Sequence, residues 1–142
     1  MCSALLSVLD QDLDRAEDAL VRAVRIDADG IESYLALARL YRMQGEVGRA
    51  IRVHQNLLLR EDLSKEQRLT ALADLGEDFR QGGFKERAIA CHEDVMAADK
   101  RDLKSLRALV QLYAETGKYQ EAIEHSRRLT RLEGGERGEK EA

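Results

Sequence analysis

The sequence predicts an all-α solenoid of about four helix-turn-helix repeats, about eight antiparallel helices, and three observations lead there. One phrase recurs three times: Leu37-Ala38-x-x-Tyr41-x-x-x-Gly45-x-x-x-x-Ala50, Leu75-Gly76-x-x-Phe79-x-x-x-Gly83-x-x-x-x-Ala88 and Leu109-Val110-x-x-Tyr113-x-x-x-Gly117-x-x-x-x-Ala122. Apolar residues on either side of each phrase recur at helical spacing. A chain of 142 residues with no Pro, no Trp and 35% charged residues reads as helical and water-facing rather than as sheet or disorder.

The phrase describes two helices pinned by a tight turn. Its Gly falls where a helix end needs a left-handed residue. Its small residues, Ala38, Gly76, Ala50, Ala88 and Ala122, fall where the two helices cross closely and a larger side chain would overpack. The aromatic anchors stand at 41, 79 and 113, so the intervals are 38 and 34 residues. This pattern resembles the tetratricopeptide repeat, whose period is ~34 residues; the resemblance implies right-handed superhelical stacking.

The repeats fall at about 1–28, 30–62, 64–100 and 102–132. In the first, Leu13, Ala16, Ala19, Leu20, Ala23 and Val24 mark the second helix, and Ala16 lies 34 residues before Ala50. Its first helix is a short one, from Cys2 to about Leu9. The second repeat buries Tyr34, Leu37, Ala38 and Tyr41 on one helix and Val47, Ala50, Ile51, His54 and Leu57 on the other. Ser64-Lys65-Glu66-Gln67 is a capping box, in which the Ser side chain takes an orphan N–H and Gln67 reaches back. It starts the third repeat early, so the first helix there is about one turn longer, which accounts for the interval of 38. Leu72, Leu75, Gly76 and Phe79 then face Ala88, Ile89, His92 and Val95. In the fourth repeat Leu106, Leu109, Val110 and Tyr113 face Tyr119, Ala122, Ile123, Leu129 and Leu132. Residues 133–142, charged and Gly-rich without periodicity, read as a disordered tail.

Composition excludes several function classes. With 23 basic against 27 acidic residues and a net charge of −4, nothing asks for nucleic acid. No apolar run is long enough to span a bilayer, and Met1-Cys2-Ser3-Ala4-Leu5-Leu6 lacks the charged and apolar regions of a signal peptide. Cys2 and Cys91 form no metal-spaced or redox pair. A cytoplasmic setting is expected, with any membrane association through a partner.

Candidate chemistry resolves into packing. His54 and His92 occupy one repeat position, four after Ala50 and Ala88, where the pattern wants a buried large residue; His125 falls one residue short of it. Second helices stacked side by side do not bring such histidines together on a metal. Cys91 and His92 are adjacent on a helix and point about 100° apart, which rules out a nucleophile and base pair. Asp10, Asp12 and Asp14 alternate in a connector but lack the Gly and terminal Glu of a calcium loop, and are read as capping and flanking the first helix pair. Gly82-Gly83 has no GK[ST] after it and is a turn. No catalytic residue, cofactor or metal site is expected, and the chain is read as a non-enzyme.

What remains is a surface. First helices line the concave face of such a solenoid, and a helical wheel places Leu35, Arg39, Arg42 and Met43, then Ala73, Asp74, Glu77, Arg80 and Gln81, then Lys104, Arg107, Gln111 and Glu115 toward it. Cations outnumber acids there, which fits either an acidic or carboxylate-ending peptide or a solvated face of accidental sign. Chaperone-binding members of the superfamily clamp a terminal carboxylate with Lys and Asn; the corresponding places hold Leu35, Arg39 and Asp74, and only Lys104 agrees, so that clamp is not expected.

One stretch carries a narrower likeness. Gly45-Glu46-Val47-Gly48-Arg49-Ala50-Ile51-Arg52-Val53-His54-Gln55-Asn56-Leu57, with the four-residue insertion and Ala71-Leu72-x-x-Leu75-Gly76-x-Asp78-Phe79 after it, resembles the repeats of the lipopolysaccharide assembly protein B family. The resemblance covers about residues 1 to 132. It implies a bacterial inner-membrane adaptor whose cytoplasmic repeats work with a membrane-bound protease to control the deacetylase that commits sugar nucleotide to lipid A. Family members also carry an N-terminal membrane helix and a C-terminal zinc domain with two Cys pairs, neither of which is found in these 142 residues. The expected function is therefore a protein-binding scaffold of envelope or lipopolysaccharide assembly. A free-standing repeat protein with an unrelated peptide partner, and a self-associating module that covers an apolar edge around Ile123 and Leu129, stay open as alternatives.

Overall fold

The computed structural model describes residues 11–12, 14–19, 21–22 and 30–141, with side chains up to residue 135. The expected helix over Cys2–Leu9, and Leu13, Leu20, Ala23 and Val24, lie outside the described residues. Asp12 and Asp14 are helical rather than part of a connector, as are Ala16 and Ala19.

Six helices follow: α1 (Ile31–Met43), α2 (Val47–Leu58), α3 (Lys65–Gln81), α4 (Lys85–Ala98), α5 (Leu103–Glu115) and α6 (Tyr119–Glu141). Among the described residues there is no strand. Each helix packs against the next in sequence, and α1 also touches α3. The fold is an all-α solenoid of helical hairpins, α1–α2, α3–α4 and α5–α6.

The aromatic and the Gly of the recurring phrase belong to one hydrogen-bonded turn. Gly45, Gly83 and Gly117 have φ of 79°, 84° and 78°, a region closed to side chains with a Cβ except at a cost of ~1–2 kcal/mol. That backbone turns the amide of the next residue onto the aromatic four positions back from the Gly: Glu46 N–H reaches the Tyr41 carbonyl, Phe84 the Phe79 carbonyl and Lys118 the Tyr113 carbonyl, each at 2.8 Å. This is the Schellman closure of a helix. The same residue then starts the following helix, since the Glu46, Phe84 and Lys118 carbonyls accept from Ala50, Ala88 and Ala122.

The capping box forms as expected, with Gln67 N–H on Ser64 Oγ and Gln67 Oε1 accepting from the Ser64 amide. It places the start of α3 so that this helix has 17 residues where α1 and α5 have 13. The extra four lie on the N-terminal side of Phe79 and account for the longer interval. Asp102 caps α5 through the Ser105 amide.

The core is aliphatic with two aromatic anchors. Leu75, Phe79, Ala88, Ile89, Met96, Leu106, Leu109, Leu112, Tyr113 and Ala122 form the main cluster, and Leu35, Leu57 and Ala71 a second one between α1, α2 and α3. Ala38, Ala50 and Ala88 are at 0% exposure, in keeping with close crossing. Tyr119 and Ile123 do not join: they are 66% and 52% exposed, since among the described residues no helix follows α6 to cover them. The backbone of α6 continues to Glu141, over residues read as a disordered tail. Glu, Arg and Lys are good helix formers and no Pro intervenes; Gly134 and Gly135 weaken such a helix by ~1 kcal/mol each without breaking it.

Candidate concave interaction face

α1, α3 and α5 are the first helices of their hairpins, and they present the face on which binding was expected. A cleft opens there, lined by Arg39 of α1, Glu66, Leu69, Thr70, Ala73 and Asp74 of α3, Asp99 and Asp102 of the α4–α5 connector, and Lys104 of α5. Glu66, Leu69, Thr70 and Ala73 stand at i, i+3, i+4 and i+7, one face of a helix. That spacing was readable in the sequence, although only Ala73 had been assigned to the groove. Asp99 and Asp102 had no such signal, since they enter from a connector.

The expected groove residues divide. Met43, Lys104, Arg107 and Gln111 are exposed, as are Arg39 and Gln81, while Arg42, Glu77 and Arg80 are half-buried. Leu35 is not in the groove: it is 4% exposed and packs in the core with Leu57 and Ala71. A first helix must bury one stripe against its own hairpin partner and a second against the next repeat, so its apolar arc is wider than a single-stripe wheel allows. Asp74 reaches the cleft but is only 2% exposed.

The cationic excess is also neutralised locally. Arg39 Nε donates to Asp74 Oδ2 at 2.8 Å and Arg42 to Asp78 Oδ1 at 2.9 Å. Arg80 and Lys85 share Glu115 at 3.6 and 3.5 Å, and Arg107 donates to Glu133 at 2.7 Å. Gln81 Nε2 donates to the Arg42 carbonyl across the α1–α3 gap. All but the Arg107 to Glu133 pair, which lies within the α5–α6 hairpin, tie adjacent repeats together, and within the cleft two basic residues, Arg39 and Lys104, meet four acidic ones, Glu66, Asp74, Asp99 and Asp102.

The two histidines of the shared repeat position are buried, at 0% exposure for His54 and 1% for His92. His54 Nδ1 lies 2.5 Å from Asp78 Oδ2, and because a carboxylate only accepts, that nitrogen carries the hydrogen. His92 Nδ1 lies 3.1 Å from Ser105 Oγ, and its Nε2 is 3.4 Å from Glu77 Oε1. Hydrogen bonding and charge from His92 hold the Glu77 carboxyl below its ordinary value against the opposing effect of burial. Burial pushes the Cys91 thiol up to about 11, with Asp94 and Asp78 adding to the shift. His125 lies edge-on to the Tyr113 ring at 4.9 Å, and its Nδ1 faces the Glu121 carbonyl. Burial, and a hydrogen bond given to Glu93, raise the Tyr113 hydroxyl above the ordinary phenol range. Each histidine thus sits in a packing environment of its own, and the three do not converge.

The tetratricopeptide repeat family matches at residues 33–69, the stretch that holds the first closed turn and the capping box. The chain is a tetratricopeptide repeat protein. It resembles lipopolysaccharide assembly protein B of Escherichia coli strain K12, at 36% identity over 129 residues, 88% of this chain and 32% of that protein. The protein of the same name from Haemophilus influenzae is 32% identical over 103 residues, 71% of this chain and 26% of that one. The chain therefore spans about a third of the length of the curated relatives it matches. Among solved structures, a crystal structure of MamA superposes with a TM-score of 0.74 at 21% identity, covering 89% of this chain and 72% of that one. A tetratricopeptide repeat protein from Parabacteroides merdae gives 0.70 at 20% identity, covering 83% and 46%.

Two features of the tetratricopeptide frame bear on binding. The carboxylate clamp of chaperone-binding members is not rebuilt, since of its expected places Leu35 is core and Asp74 is engaged by Arg39. Among the described residues no helix is long and apolar enough to cross a membrane.

Proposed function

We propose that this chain is a non-catalytic protein-binding scaffold whose concave face, built by α1, α3 and α5, docks a segment of a partner in the regulation of lipopolysaccharide or envelope assembly. The observation that carries the reading is the open cleft between Arg39, Ala73 and Lys104, on the face where stacked repeats bind their ligands. The assembly context rests on the likeness to lipopolysaccharide assembly protein B. In support of a non-catalytic role, the buried histidines and Cys91 pack against neighbours instead of facing the cleft, and Cys91 is held as a thiol. The setting proposed is the cytoplasm, with contact to the inner membrane through the partner.

Capture from a Gram-negative lysate tests this. Parent protein is compared with Lys104→Glu/Gln111→Glu, two exposed groove positions whose change leaves the core intact. Enrichment of an envelope protease or a lipid A deacetylase by the parent alone supports the proposal, and equal recovery by both proteins overturns the groove. Self-association is a second reading, favoured by the exposure of Tyr119 and Ile123 on α6. Light scattering at micromolar concentration distinguishes it, since a clean monomer removes it.

A further inference from the structure

The cleft on the concave face has a floor and a rim of different chemistry. Its floor is one face of α3, where Leu69, Thr70 and Ala73 are half-buried and mostly carbon. Its rim is charged, and two bases against four acids give the lining a net charge of −2. The space enclosed is about 440 Å³, within the range of clefts that hold ligands.

The carboxylates differ in how far they are engaged. Asp74 Oδ2 accepts from Arg39 Nε at 2.8 Å, so that pair cancels. Asp102 Oδ1 accepts from the Ser105 amide and Asp99 Oδ1 from the Arg101 amide. An amide donor brings no formal charge, and each of these groups keeps a second oxygen. Exposed Glu66 makes no hydrogen bond or ion pair among the described residues. Against these three carboxylates the lining sets only Lys104, which is exposed and without an ion pair among the described residues. The cations nearest in sequence stay out of the lining; Arg68, two residues from Glu66, donates to the Leu58 and Arg60 carbonyls instead.

We propose that the cleft takes an extended partner segment through a Lys or Arg side chain, with its stem on Leu69 and Ala73 and its head toward the Glu66 and Asp99 carboxylates. A long basic side chain lays its carbon stem on apolar surface and keeps its charged end at the edge, which matches a carbon floor with an acidic rim. Charge-assisted hydrogen bonds hold the head, and Lys104 gives a donor to a main-chain carbonyl of the same segment. This inference names the chemistry of the partner and rests on the concave face being the docking surface. It reverses the expectation of an acidic or carboxylate-ending peptide. Such a segment would bring its charge against Glu66, Asp99 and Asp102, with Arg39 already bound to Asp74 and only Lys104 left to receive it.

Backbone 15N spectra of the full chain, titrated with three capped pentapeptides, test this. The peptides are acetyl-Ser-Ala-Arg-Ala-Ser-amide and the same sequence with citrulline, the uncharged isostere of Arg, or with Glu at the centre. The Arg peptide is expected to shift the Leu69, Thr70 and Ala73 amides to saturation. The citrulline peptide should bind about tenfold more weakly, as for one charge-assisted hydrogen bond lost, and the Glu peptide more weakly still. In Glu66→Gln/Asp99→Asn, two exposed positions that keep their shape, the advantage of Arg over citrulline should vanish. Equal or tighter binding of the Glu peptide, an Arg preference that survives the double variant, or no saturable shift at the three amides each overturns the proposal. If the Glu peptide binds best at those amides, the cleft still docks a segment and only its cationic preference is lost. The capture experiment reverses Lys104 and keeps Glu66 and Asp99, so it reads docking separately.

Discussion

The His92 imidazole fills the space that a side chain at position 76 would need: a Cβ built on Gly76 would stand 2.7 Å from Nε2 and 3.0 Å from Cδ2. The ring is at 1% exposure and anchored to Ser105, so it has little room to withdraw. Gly76→Ala is expected to lower stability by about 1–3 kcal/mol through overpacking, despite the gain in helix propensity. Urea denaturation of Gly76→Ala, His92→Ala and the double variant measures the coupling. Simple additivity of the two single effects would show that ring and glycine do not meet.

Asp78 joins three elements, with Oδ1 on Arg42 of α1 and Oδ2 on His54 of α2 while its own backbone belongs to α3. It is at 0% exposure, so Asp78→Ala leaves the half-buried Arg42 guanidinium with the Asp74 carbonyl but without its carboxylate, and a buried ring N–H unpaired. The expected loss is about 3–5 kcal/mol, as for a broken buried ion pair. The exposed pair between Lys118 and Glu86, at 3.0 Å, provides the contrast: Glu86→Ala should change stability by less than ~1 kcal/mol. Urea midpoints of the two variants check the difference.

Cys91 should react only when the chain opens. Its thiol is 7% exposed and pushed up to about 11, while the reactive species is the thiolate. In a Cys2→Ser background a disulfide reagent at about pH 8, near the ordinary thiol value, is expected to label the native protein slowly and the urea-unfolded protein fast. Equal rates would place Cys91 at the surface.

Glu77 gives the fold a pH dependence of defined sign. Its carboxyl is held below its ordinary value, chiefly by the His92 ring, whose Nε2 lies 3.4 Å from Oε1. A depressed folded value means that the contribution is present above the unfolded value and is lost as pH falls through the folded one. Parent stability should therefore drop more steeply than that of Glu77→Gln between about pH 5 and about pH 3, a range that brackets an ordinary carboxylate. Urea titrations of both proteins across that range decide it, and parallel curves would remove the interaction.

What the sequence made legible was what depends on near neighbours. The aromatic and Gly four residues apart close a turn whose hydrogen bonds span six residues, and Ser64 and Gln67 cap a helix within four. The long α3 followed from these alone. His54 and His92 were correctly placed as buried, yet their partners were not foreseen: Asp74 was assigned to the groove and Asp78 to no role. Those pairings cross from one hairpin to the next, over 20 or 24 residues of chain for His54, and depend on superhelical stacking that a wheel cannot express. The same omission made the groove look cationic, because Arg39, Arg42 and Arg80 find their acids on neighbouring repeats and Arg107 finds its acid on the second helix of its own hairpin.

One residue ends each first helix and begins the second: Glu46, Phe84 and Lys118. Nothing can be inserted at that point without undoing both helices, and the stretch from aromatic to Ala keeps one length in all three hairpins, Tyr41 to Ala50, Phe79 to Ala88 and Tyr113 to Ala122. Between hairpins the chain is free to vary, with 29 residues from Ala50 to Phe79 against 25 from Ala88 to Tyr113. The hairpin is thus the indivisible unit in which such a protein can be duplicated, shortened or spliced. Residues 59–63, ahead of the Ser64 cap of α3, are the natural place for an inserted tag or an evolutionary insertion.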